Sequence, residues 1–396
     1  IINPGDVAVI RPNVAHTMVF IEDSIFLNLV RGEREHENYG VTHTIFYELV
    51  SEKFRKQIVD HYKAECRVCG RKDLKEVLSL GMSPLANSLL KDKNEEENLY
   101  PLELNFCPNC FNCQLSFTVP ATQMFDDYLY VSSTNQTFRD HFSSMADRFI
   151  QEFDLNQESF VLDIGSNDGV FLSPLKENGI KILGVDPAEN LVNLANSNGL
   201  ETLHGYFDDK ITDEIIASKG RADIVTAFNV FAHADDLKSI AQNVFKVLKD
   251  SGIFIIEVQY LLDTIKDLTF DNIYHEHVNY WSVHTLQFFF HSLDLQLVKV
   301  EHVNTHGGSI RAFISAKKEA ETDSSVEDFI AREKQFGLDD FSTLKQFASS
   351  VNDLKNTTKN KVKELKSQGK SIVGYGSPAK ATTVLNYYGI NHESIA

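Results

Sequence analysis

The sequence predicts an α/β protein built around a Rossmann-like parallel β-sheet, and three observations support this. Residues 160–164 form a short apolar run interrupted only by Asp163, as is typical of a buried strand in a parallel sheet. Gly165 and Gly169 bracket a tight loop that leads into a predicted helix. Residues 180–185 form a second apolar run, which ends in an acidic residue. This succession of strand, glycine loop, helix and strand predicts one βαβ unit of such a sheet.

The same unit carries the pattern of a nucleotide-like ligand site. Glycine in the loop allows the backbone to approach a ligand closely, and Asp186 could accept hydrogen bonds from both hydroxyls of a ribose. The segments Asp-Ile-Gly-Ser-Asn-Asp-Gly and Gly-Val-Asp-Pro resemble the S-adenosylmethionine site of class I methyltransferases. The alternative is an ordinary βαβ turn without a ligand. The resemblance implies cofactor-binding roles for Asp163, Gly165, Ser166, Asn167, Gly169, Asp186 and Asn229.

Further helices and strands surround this unit. Helices are predicted at residues 138–153, 171–178 and 188–197, and strands at 201–204, 222–228 and 252–258. In class I methyltransferases the end of the strand at 222–228 faces the methyl donor, and ligands of open α/β sheets bind at such ends. This position favours a functional role for His233, against the alternative of a structural histidine.

All five cysteines lie between Cys66 and Cys113. Two Cys-x2-Cys pairs of soft ligands suit tetrahedral zinc, and a filled shell of four thiolates predicts a structural site. The first pair is Cys66 with Cys69. The second is ambiguous because Cys113 also follows Cys110 at this spacing, but Cys107-Pro-Asn-Cys110 matches a zinc-knuckle turn and is favoured. A local metal site of this kind predicts a reducing compartment and a cytoplasmic protein.

A more specific resemblance comes from motifs around the cysteines. Leu-Gly-x-x-Pro-Leu-Ala-Asn begins at Leu80, and Tyr-x-Tyr-x-Ser-Ser begins at Tyr128. Together with the zinc knuckles and the methyltransferase motif, they resemble the sugar C-methyltransferases that act on nucleotide-linked 4-keto-deoxysugars. The likeness extends from about Cys66 to the end of the chain. It implies a nucleotide-linked sugar as substrate, with Tyr130 or Tyr128 closing the sugar pocket.

The segment Tyr274-His275-Glu276-His277 is the predicted catalytic stretch. Its histidines would not share a helix face, so a zinc site of the i, i+4 kind is not expected, whereas a loop would let the side chains converge. The family's acid–base residues fall in a Tyr-x-Glu-His motif, which this segment matches. The resemblance implies His277 as base, oriented by Glu276, with His233 and Tyr274 near an enolate, although either histidine could take either role.

The remaining substrate contacts are predicted nearer the C-terminus. The segment Gly-Gly-Ser-x-Arg resembles a family motif and implies that Gly308 and Arg311 contact the nucleotide-sugar, against the alternative of a hairpin turn with a surface arginine. Residues 324–367 are predicted to be helical with a break at Gly337. A strand at 371–375 then opens a second Gly-rich βα unit, in which Gly376 and Lys380 are expected to bind the nucleotide-sugar.

Residues 1–30 read as short strands, and the segment Arg11-Pro12-Asn13-Val14-Ala15-His16 among them resembles the second conserved box of a cupin β-barrel. The resemblance makes His16 either a metal ligand or a structural histidine. The chain begins without methionine and ends soon after a new β-loop-α pattern starts, which predicts a fragment at both ends. The predicted regions are a truncated cupin-like part (1–45), a zinc-binding domain (60–135), an S-adenosylmethionine-dependent core (136–318) and a truncated α/β nucleotide-sugar-binding domain (319–396).

Composition excludes some classes of function. The formal net charge of −18 over 396 residues argues against a nucleic-acid surface, because phosphate binding requires clustered Lys and Arg. No apolar run approaches the about 20 residues that a membrane span requires. The oligomeric state is not predicted. The alternatives left open are a sugar O- or N-methyltransferase and a zinc-stapled binding module without catalytic activity.

Overall fold

The computed structural model of the protein describes residues 61–395 except 91, 93–94, 96, 306, 318–319 and 375–377. The cupin-like strands with His16, and Gly376 of the predicted C-terminal site, therefore lie outside the described residues.

Strands and α-helices alternate between residues 160 and 259. The strands are β1 (Lys75–Pro84), β2 (Leu99–Phe106), β3 (Cys113–Leu115), β4 (Phe160–Ile164), β5 (Lys181–Asp186), β6 (Thr202–His204), β7 (Ala222–Phe228), β8 (Leu248–Gln259), β9 (Asn279–Tyr280), β10 (Gln296–Val303) and β11 (Ser309–Ser315). The α-helices are α1 (Ala121–Phe125), α2 (Gln136–Glu152), α3 (Leu172–Glu177), α4 (Glu189–Ser197), α5 (Asp209–Lys219), α6 (Leu237–Val247), α7 (Leu261–Lys266), α8 (Val283–His291), α9 (Ser325–Phe336), α10 (Phe341–Ser367) and α11 (Ala379–Tyr388).

The central sheet has seven strands in the order β10-β11-β8-β7-β4-β5-β6. Strands β6, β5, β4, β7 and β8 are parallel neighbours, and β10 and β11 add an antiparallel hairpin. The parallel part has the 3-2-1-4-5 order of a doubly wound Rossmann-like sheet. The predicted fold class is thus confirmed.

Both faces of this sheet are covered, which explains the apolar composition of β4. All five of its residues are buried. Leu162 and Ile164 pack into the core on one face, and Val161 packs into the core on the other, as the two-residue period of a strand requires. The carboxyl ends of the parallel strands therefore meet at one edge, where the predicted site residues lie.

A smaller antiparallel sheet joins the cysteine-rich region to the core. Its order is β1-β2-β3-β9, so β3, the last of three strands before residue 116, pairs with a strand that begins two residues after His277. Cys113 pairs with Tyr280, and Gln114 pairs with Asn279. The cysteine-rich region is therefore joined to the core by strand pairing.

The C-terminal part is helical, and one prediction for it is wrong. Gly337 ends α9 with φ of 82°, a left-handed conformation that glycine adopts readily, as the predicted break requires. Residues 371–374, however, form no strand. Within the described part of the chain, no strand lies beside them to accept the hydrogen bonds that a strand requires.

Among the described residues, no helix combines the length and the apolar composition needed to cross a membrane.

Candidate active site

Four cysteines converge in the structure as the knuckle spacing predicted. The Sγ atoms of Cys66, Cys69, Cys107 and Cys110 all lie within 4.8 Å of one another. A tetrahedral zinc with Zn–S bonds of about 2.3 Å would place its sulfurs about 3.8 Å apart, so the geometry fits. Cys113 lies outside the cluster, packed in the core of the small sheet. This resolves the ambiguity of the second pair in favour of Cys107 and Cys110.

The glycine loop after β4 has the predicted close packing. Gly165 and Gly169 have φ of 65° and 80°, and a Cβ at Gly165 would collide with Val230. Asn167 also has a positive φ, of 54°, which asparagine tolerates better than most residues. Among the described residues, Asp168 Oδ1, Ser166 Oγ and Asn229 Oδ1 are buried without a hydrogen-bond partner, as expected of polar groups that bind a ligand.

Asp186 ends β5 and closes the same loop. Its carboxylate accepts hydrogen bonds from the backbone N–H of Asn167 (2.8 Å) and of Ala188 (2.9 Å). Burial raises its pKa, while these two backbone bonds lower it. Each oxygen retains a lone pair, so the carboxylate could still accept from ribose hydroxyls.

Asp163 lies deeper, at the end of β4. It is buried and accepts a hydrogen bond from Thr226 Oγ1 at 2.6 Å. Burial raises its pKa to about 7, the bond from Thr226 lowers it, and the neighbouring charge of Asp186 raises it. A positively charged cofactor would favour the ionised form of this carboxyl group.

The Tyr-x-Tyr-x-Ser-Ser segment lies over the glycine loop. The Asn167 side chain accepts from the backbone N–H of Ser132 (2.9 Å) and donates to the carbonyl of Tyr130 (3.0 Å). Ser133 N–H donates to Asp168 Oδ2 at 3.2 Å. These residues thus cover the predicted cofactor loop, a role that the sequence did not assign to them.

His277 is held in one tautomer by its surroundings. It is 3% exposed and lies in a loop, as predicted, with Nδ1 at 2.8 Å from the carbonyl oxygen of Asn272. Because a carbonyl can only accept, Nδ1 carries the hydrogen, and Nε2 is the basic nitrogen of the neutral ring. Gln259 places its amide nitrogen 3.3 Å from Nε2.

Glu276 does not orient His277, contrary to the prediction. Its carboxylate accepts from Asn87 Nδ2 at 2.5 Å and from the hydroxyl of Tyr128 at 2.8 Å. Burial raises its pKa, whereas the bonds from Tyr128 and Asn87 lower it. The orientation of His277 comes instead from the Asn272 carbonyl, because that contact fixes the ring nitrogen opposite the basic one.

Two further predicted residues surround His277. The ring of Tyr274 lies 4.2 Å and that of His233 5.1 Å from the His277 ring, between centroids. Burial raises the pKa of Tyr274 well above its ordinary value, and the charge of Glu276 raises it further. Its phenol is therefore protonated at neutral pH and can donate a hydrogen bond. Phe125 stacks on the His233 ring at 5.6 Å.

Of the two tyrosines in the Tyr-x-Tyr-x-Ser-Ser motif, Tyr128 donates a hydrogen bond from its hydroxyl to Glu276. Tyr130 is 42% exposed, and it lies near enough to Tyr274 for its charge to raise the pKa of that residue. Sequence reasoning left the choice between the two open because both belong to one motif.

Arg311 is not available to a substrate, contrary to the prediction. Its guanidinium lies in the sheet, 2.7 Å from Glu257 and 3.4 Å from Glu301, and only 6% of its side chain is exposed. Register explains this pairing, because Glu301, Arg311 and Glu257 are directly opposite on three adjacent strands. Gly308 is required by packing, since a Cβ there would collide with Asp263.

Lys380 lies on α11, which packs over the predicted catalytic loop. Thr382 Oγ1 donates to the carbonyl of Ala86 and Thr383 Oγ1 to that of Ile273, each at 3.3 Å. Burial lowers the pKa of Lys380, while the charge of Asp271 raises it. The helix thus bridges the segments that carry Asn87 and Tyr274.

Sequence reasoning missed several residues around His277, His233 and Glu276, or gave them no site role. They are Asn87, Phe125, Gln259 and Asn272. Asn87 ends a recognised motif, which was an available signal. The others had none, because their contacts join segments far apart in the chain.

Comparisons with known proteins match the same regions of the chain. Three family models match consecutive parts of the chain: "Putative zinc binding domain" at residues 66–125, "Methyltransferase domain" at 137–300 and "C-methyltransferase C-terminal domain" at 304–396. The C-methyltransferase NovU of Streptomyces niveus is 33% identical over 334 residues, which cover 84% of this chain and 80% of the relative.

Two other similarities cover less of the chain. A ubiquinone biosynthesis O-methyltransferase of Hydrogenovibrio crunogenus is 27% identical over 26% of this chain and 44% of its own length. Among solved structures, magnesium protoporphyrin IX methyltransferase of Synechocystis PCC 6803 with bound SAH is 13% identical, covering 46% of this chain and 88% of that one, with a TM-score of 0.37.

The sheet order, the glycine loop and the matched models define a class I methyltransferase that uses S-adenosylmethionine and carries a zinc-binding domain. The extent of the match to NovU shows more. The chain belongs to the family of C-methyltransferases that contains NovU.

Proposed function

We propose that the protein methylates a carbon next to the ketone of a nucleotide-linked 4-keto-deoxysugar through an enolate. The observation that carries this proposal is the environment of His277. Its Nδ1 is bound to a backbone carbonyl, its Nε2 is basic, and protonated Tyr274 lies beside it. Methylation of carbon requires a base of this kind, because a neutral C–H is not a nucleophile.

The chain supplies proton transfer and charge stabilisation. Nε2 of His277 removes the proton from the carbon beside the ketone, and the electron pair of that C–H bond forms the enolate. The ketone oxygen takes up the negative charge, which a hydroxyl donor such as Tyr274 stabilises where it develops. His233, with its ring 5.1 Å from that of His277, is a second candidate for this contact or for the base.

The cofactor is held at the adjacent strand ends. When bound, S-adenosylmethionine supplies an electrophilic methyl group. Asp186 would hold its ribose, and Asp163 and the loop to Gly169 would surround its methionine end. The chain orients the two reactants so that the enolate carbon and the methyl group meet in line.

Two alternatives make different products. Methylation of a sugar oxygen or nitrogen needs a base but no carbon acid, and a binding module without catalysis gives no product. The buried cluster around His277, together with membership of a C-methyltransferase family, favours carbon.

Product analysis on a panel of nucleotide sugars tests the proposal. The protein is incubated with ¹³C-methyl-labelled S-adenosylmethionine and 4-keto sugars, each paired with its 4-hydroxy counterpart as control. We expect one added methyl group on the keto sugars alone, with the NMR shift of a methyl carbon attached to carbon. A methyl group on oxygen or nitrogen, or equal turnover of the hydroxy sugars, would contradict it.

A further inference from the structure

We propose that Arg67, which lies inside the first zinc knuckle, is a positioning residue for the reaction. It fixes the loop that carries His233 by binding Asp235. The inference rests on the proposed function for its kinetic consequence. It gives the zinc site a role beyond holding its own region together, because the knuckle then sets the geometry of a histidine in the active site.

The Arg67 side chain is buried, and each of its three nitrogens donates a hydrogen bond. Its guanidinium donates from Nε to Asp235 Oδ1 (3.0 Å), from Nη1 to the carbonyl of Leu115 (2.7 Å) and from Nη2 to Thr118 Oγ1 (2.6 Å). Only 2% of the side chain is exposed. Its backbone N–H donates to Gln114 Oε1 at 2.8 Å, so main chain and side chain are both fixed.

This arrangement suits arginine and no other residue. The planar guanidinium reaches three acceptors in different directions, which the single ammonium of lysine cannot do. Arg67 stands between Cys66 and Cys69, so metal binding at these cysteines fixes its backbone.

Asp235 transmits this constraint to the loop after β7. It lies two residues after His233, and its carboxylate also accepts from Thr118 Oγ1 (3.0 Å) and pairs with Lys63 (2.5 Å). On the other side of the histidine, the Ala232 carbonyl accepts from the backbone N–H of Asn279 at 3.1 Å. The contacts of Asp235 and of the Ala232 carbonyl therefore hold the chain on both sides of His233.

Both of these contacts connect to the zinc region. Asn279 pairs with Gln114 between β9 and β3, and its Oδ1 accepts from Asn112 Nδ2 at 2.8 Å. Asn112 follows the ligand Cys110 by two residues. The metal region thus contacts the chain after His233 directly, through Arg67 and Asp235, and the chain before it through Asn279. Phe125 stacks on the His233 ring.

The test combines variants on both sides of the contact. Arg67→Lys retains the positive charge but loses the planar guanidinium, and Arg67→Gln removes the charge. Asp235→Asn changes the core residue of the contact and leaves the sequence of the zinc knuckle unchanged. Arg71→Gln is the matched control, because Arg71 also follows a knuckle cysteine closely, but its side chain is exposed and its ion pair among the described residues is with the exposed Asp73.

Four quantities are measured for each variant: zinc per chain, affinity for S-adenosylmethionine, kcat and KM for the accepted sugar, and the imidazole NMR signals of His233. The signals are assigned by their loss in His233→Gln. We expect the variants of Arg67 and Asp235 to keep zinc and cofactor affinity, to lose about 10–100-fold in kcat with little change in KM, and to shift the His233 signals. Arg71→Gln should change none of these.

The proposal is overturned if Asp235→Asn retains both kcat and the His233 signals of the parent. If the Arg67 variants lose zinc or fail to fold, Asp235→Asn still decides the question. The NMR measurement needs no substrate, so it tests the positioning role of Arg67 separately from the proposed substrate. Shifted signals in an enzyme that methylates another acceptor would contradict only the proposed substrate, whereas unmoved signals in an enzyme active on keto sugars would contradict only the positioning role.

Discussion

The side-chain amide of Asn87 donates a hydrogen bond of 2.5 Å to Oε1 of Glu276, although 189 positions separate them in the chain. Tyr128 donates to the other carboxylate oxygen of the same residue. Each of the three residues belongs to a different motif, and they meet at the carboxylate of Glu276, a residue that is 5% exposed. This contact joins a motif of the zinc-binding region to the predicted catalytic stretch of the methyltransferase core.

Removing Asn87 should weaken catalysis without affecting the metal. Asn87→Ala leaves a buried carboxylate with one donor fewer, which costs roughly 1.5–3 kcal/mol and raises the pKa of Glu276 further. We expect kcat/KM for the sugar to fall by about 10–100-fold, with zinc content and cofactor affinity unchanged. Ser88→Ala, at the exposed neighbouring residue, is the control. Parent-like kcat/KM in Asn87→Ala would remove this contact from the functional site.

Replacing His277 should separate proton abstraction from cofactor binding. His277→Ala removes the proposed base, so turnover should fall by roughly 10²–10⁴-fold while the affinity for S-adenosylmethionine is kept. The measurement is exchange of the sugar's α-proton in deuterated water with an unreactive cofactor analogue present. Parent-like exchange with lost methylation would transfer the role of base to His233. Normal exchange in both His277→Ala and His233→Ala would exclude a histidine base.

Asp186→Ala should reduce affinity for S-adenosylmethionine. The substitution removes an acceptor for ribose hydroxyls, and hydrogen bonds to a charged group contribute roughly 1.5–3 kcal/mol each, so we expect a loss of at least about tenfold. It also frees the backbone N–H groups of Asn167 and Ala188, which Asp186→Asn would partly satisfy. Calorimetry measures both variants. Unchanged affinity in Asp186→Ala would mean that another residue holds the ribose.

Because the pKa of Asp163 is raised, we expect thermal stability to fall and cofactor affinity to rise as the pH increases through about 7. Its folded pKa of about 7 lies above the ordinary value for aspartate, so the stabilisation from its bound proton is present below about pH 4 and is lost as pH rises through 7. The unliganded parent should therefore lose more thermal stability than Asp163→Asn over this window.

Binding of a positively charged cofactor favours the ionised carboxyl group, so affinity should rise between about pH 6 and about pH 8 with proton release. Calorimetry in buffers of different ionisation enthalpy measures that release. An Asp163→Asn variant with the same pH profile as the parent would assign the effect to another group.

Zinc content should depend on four cysteines and not on the fifth. Metal analysis should give about one zinc per chain, and Cys66→Ser should lower both zinc content and thermal stability, because a ligand is lost from a filled shell. Cys113→Ser is the matched control, since Cys113 is buried nearby but outside the cluster. Full zinc retention in Cys66→Ser would contradict the ligand assignment.

The sequence by itself determined the features that depend on neighbours in the chain. Apolar runs marked the strands of the core, and Cys-x2-Cys spacing selected the zinc ligands, with Cys107 and Cys110 favoured as the second pair. The glycine loop and the acid at the end of β5 predicted the cofactor site. Each of these signals lies within a few residues, where backbone geometry leaves few alternatives.

Only the tertiary structure decided which side chains meet across the molecule. Arg311 matched a motif for substrate binding, but the register of three strands places it between Glu257 and Glu301. Residues 371–374 have the composition of a strand but lack a neighbouring strand among the described residues, and a strand is stable only when its backbone hydrogen bonds are met. The contacts of Asn87 with Glu276 and of Arg67 with Asp235 depend on how the zinc region packs on the core. A local pattern cannot specify them, because the distance between such residues is set by the packing of whole elements and not by their separation in the chain.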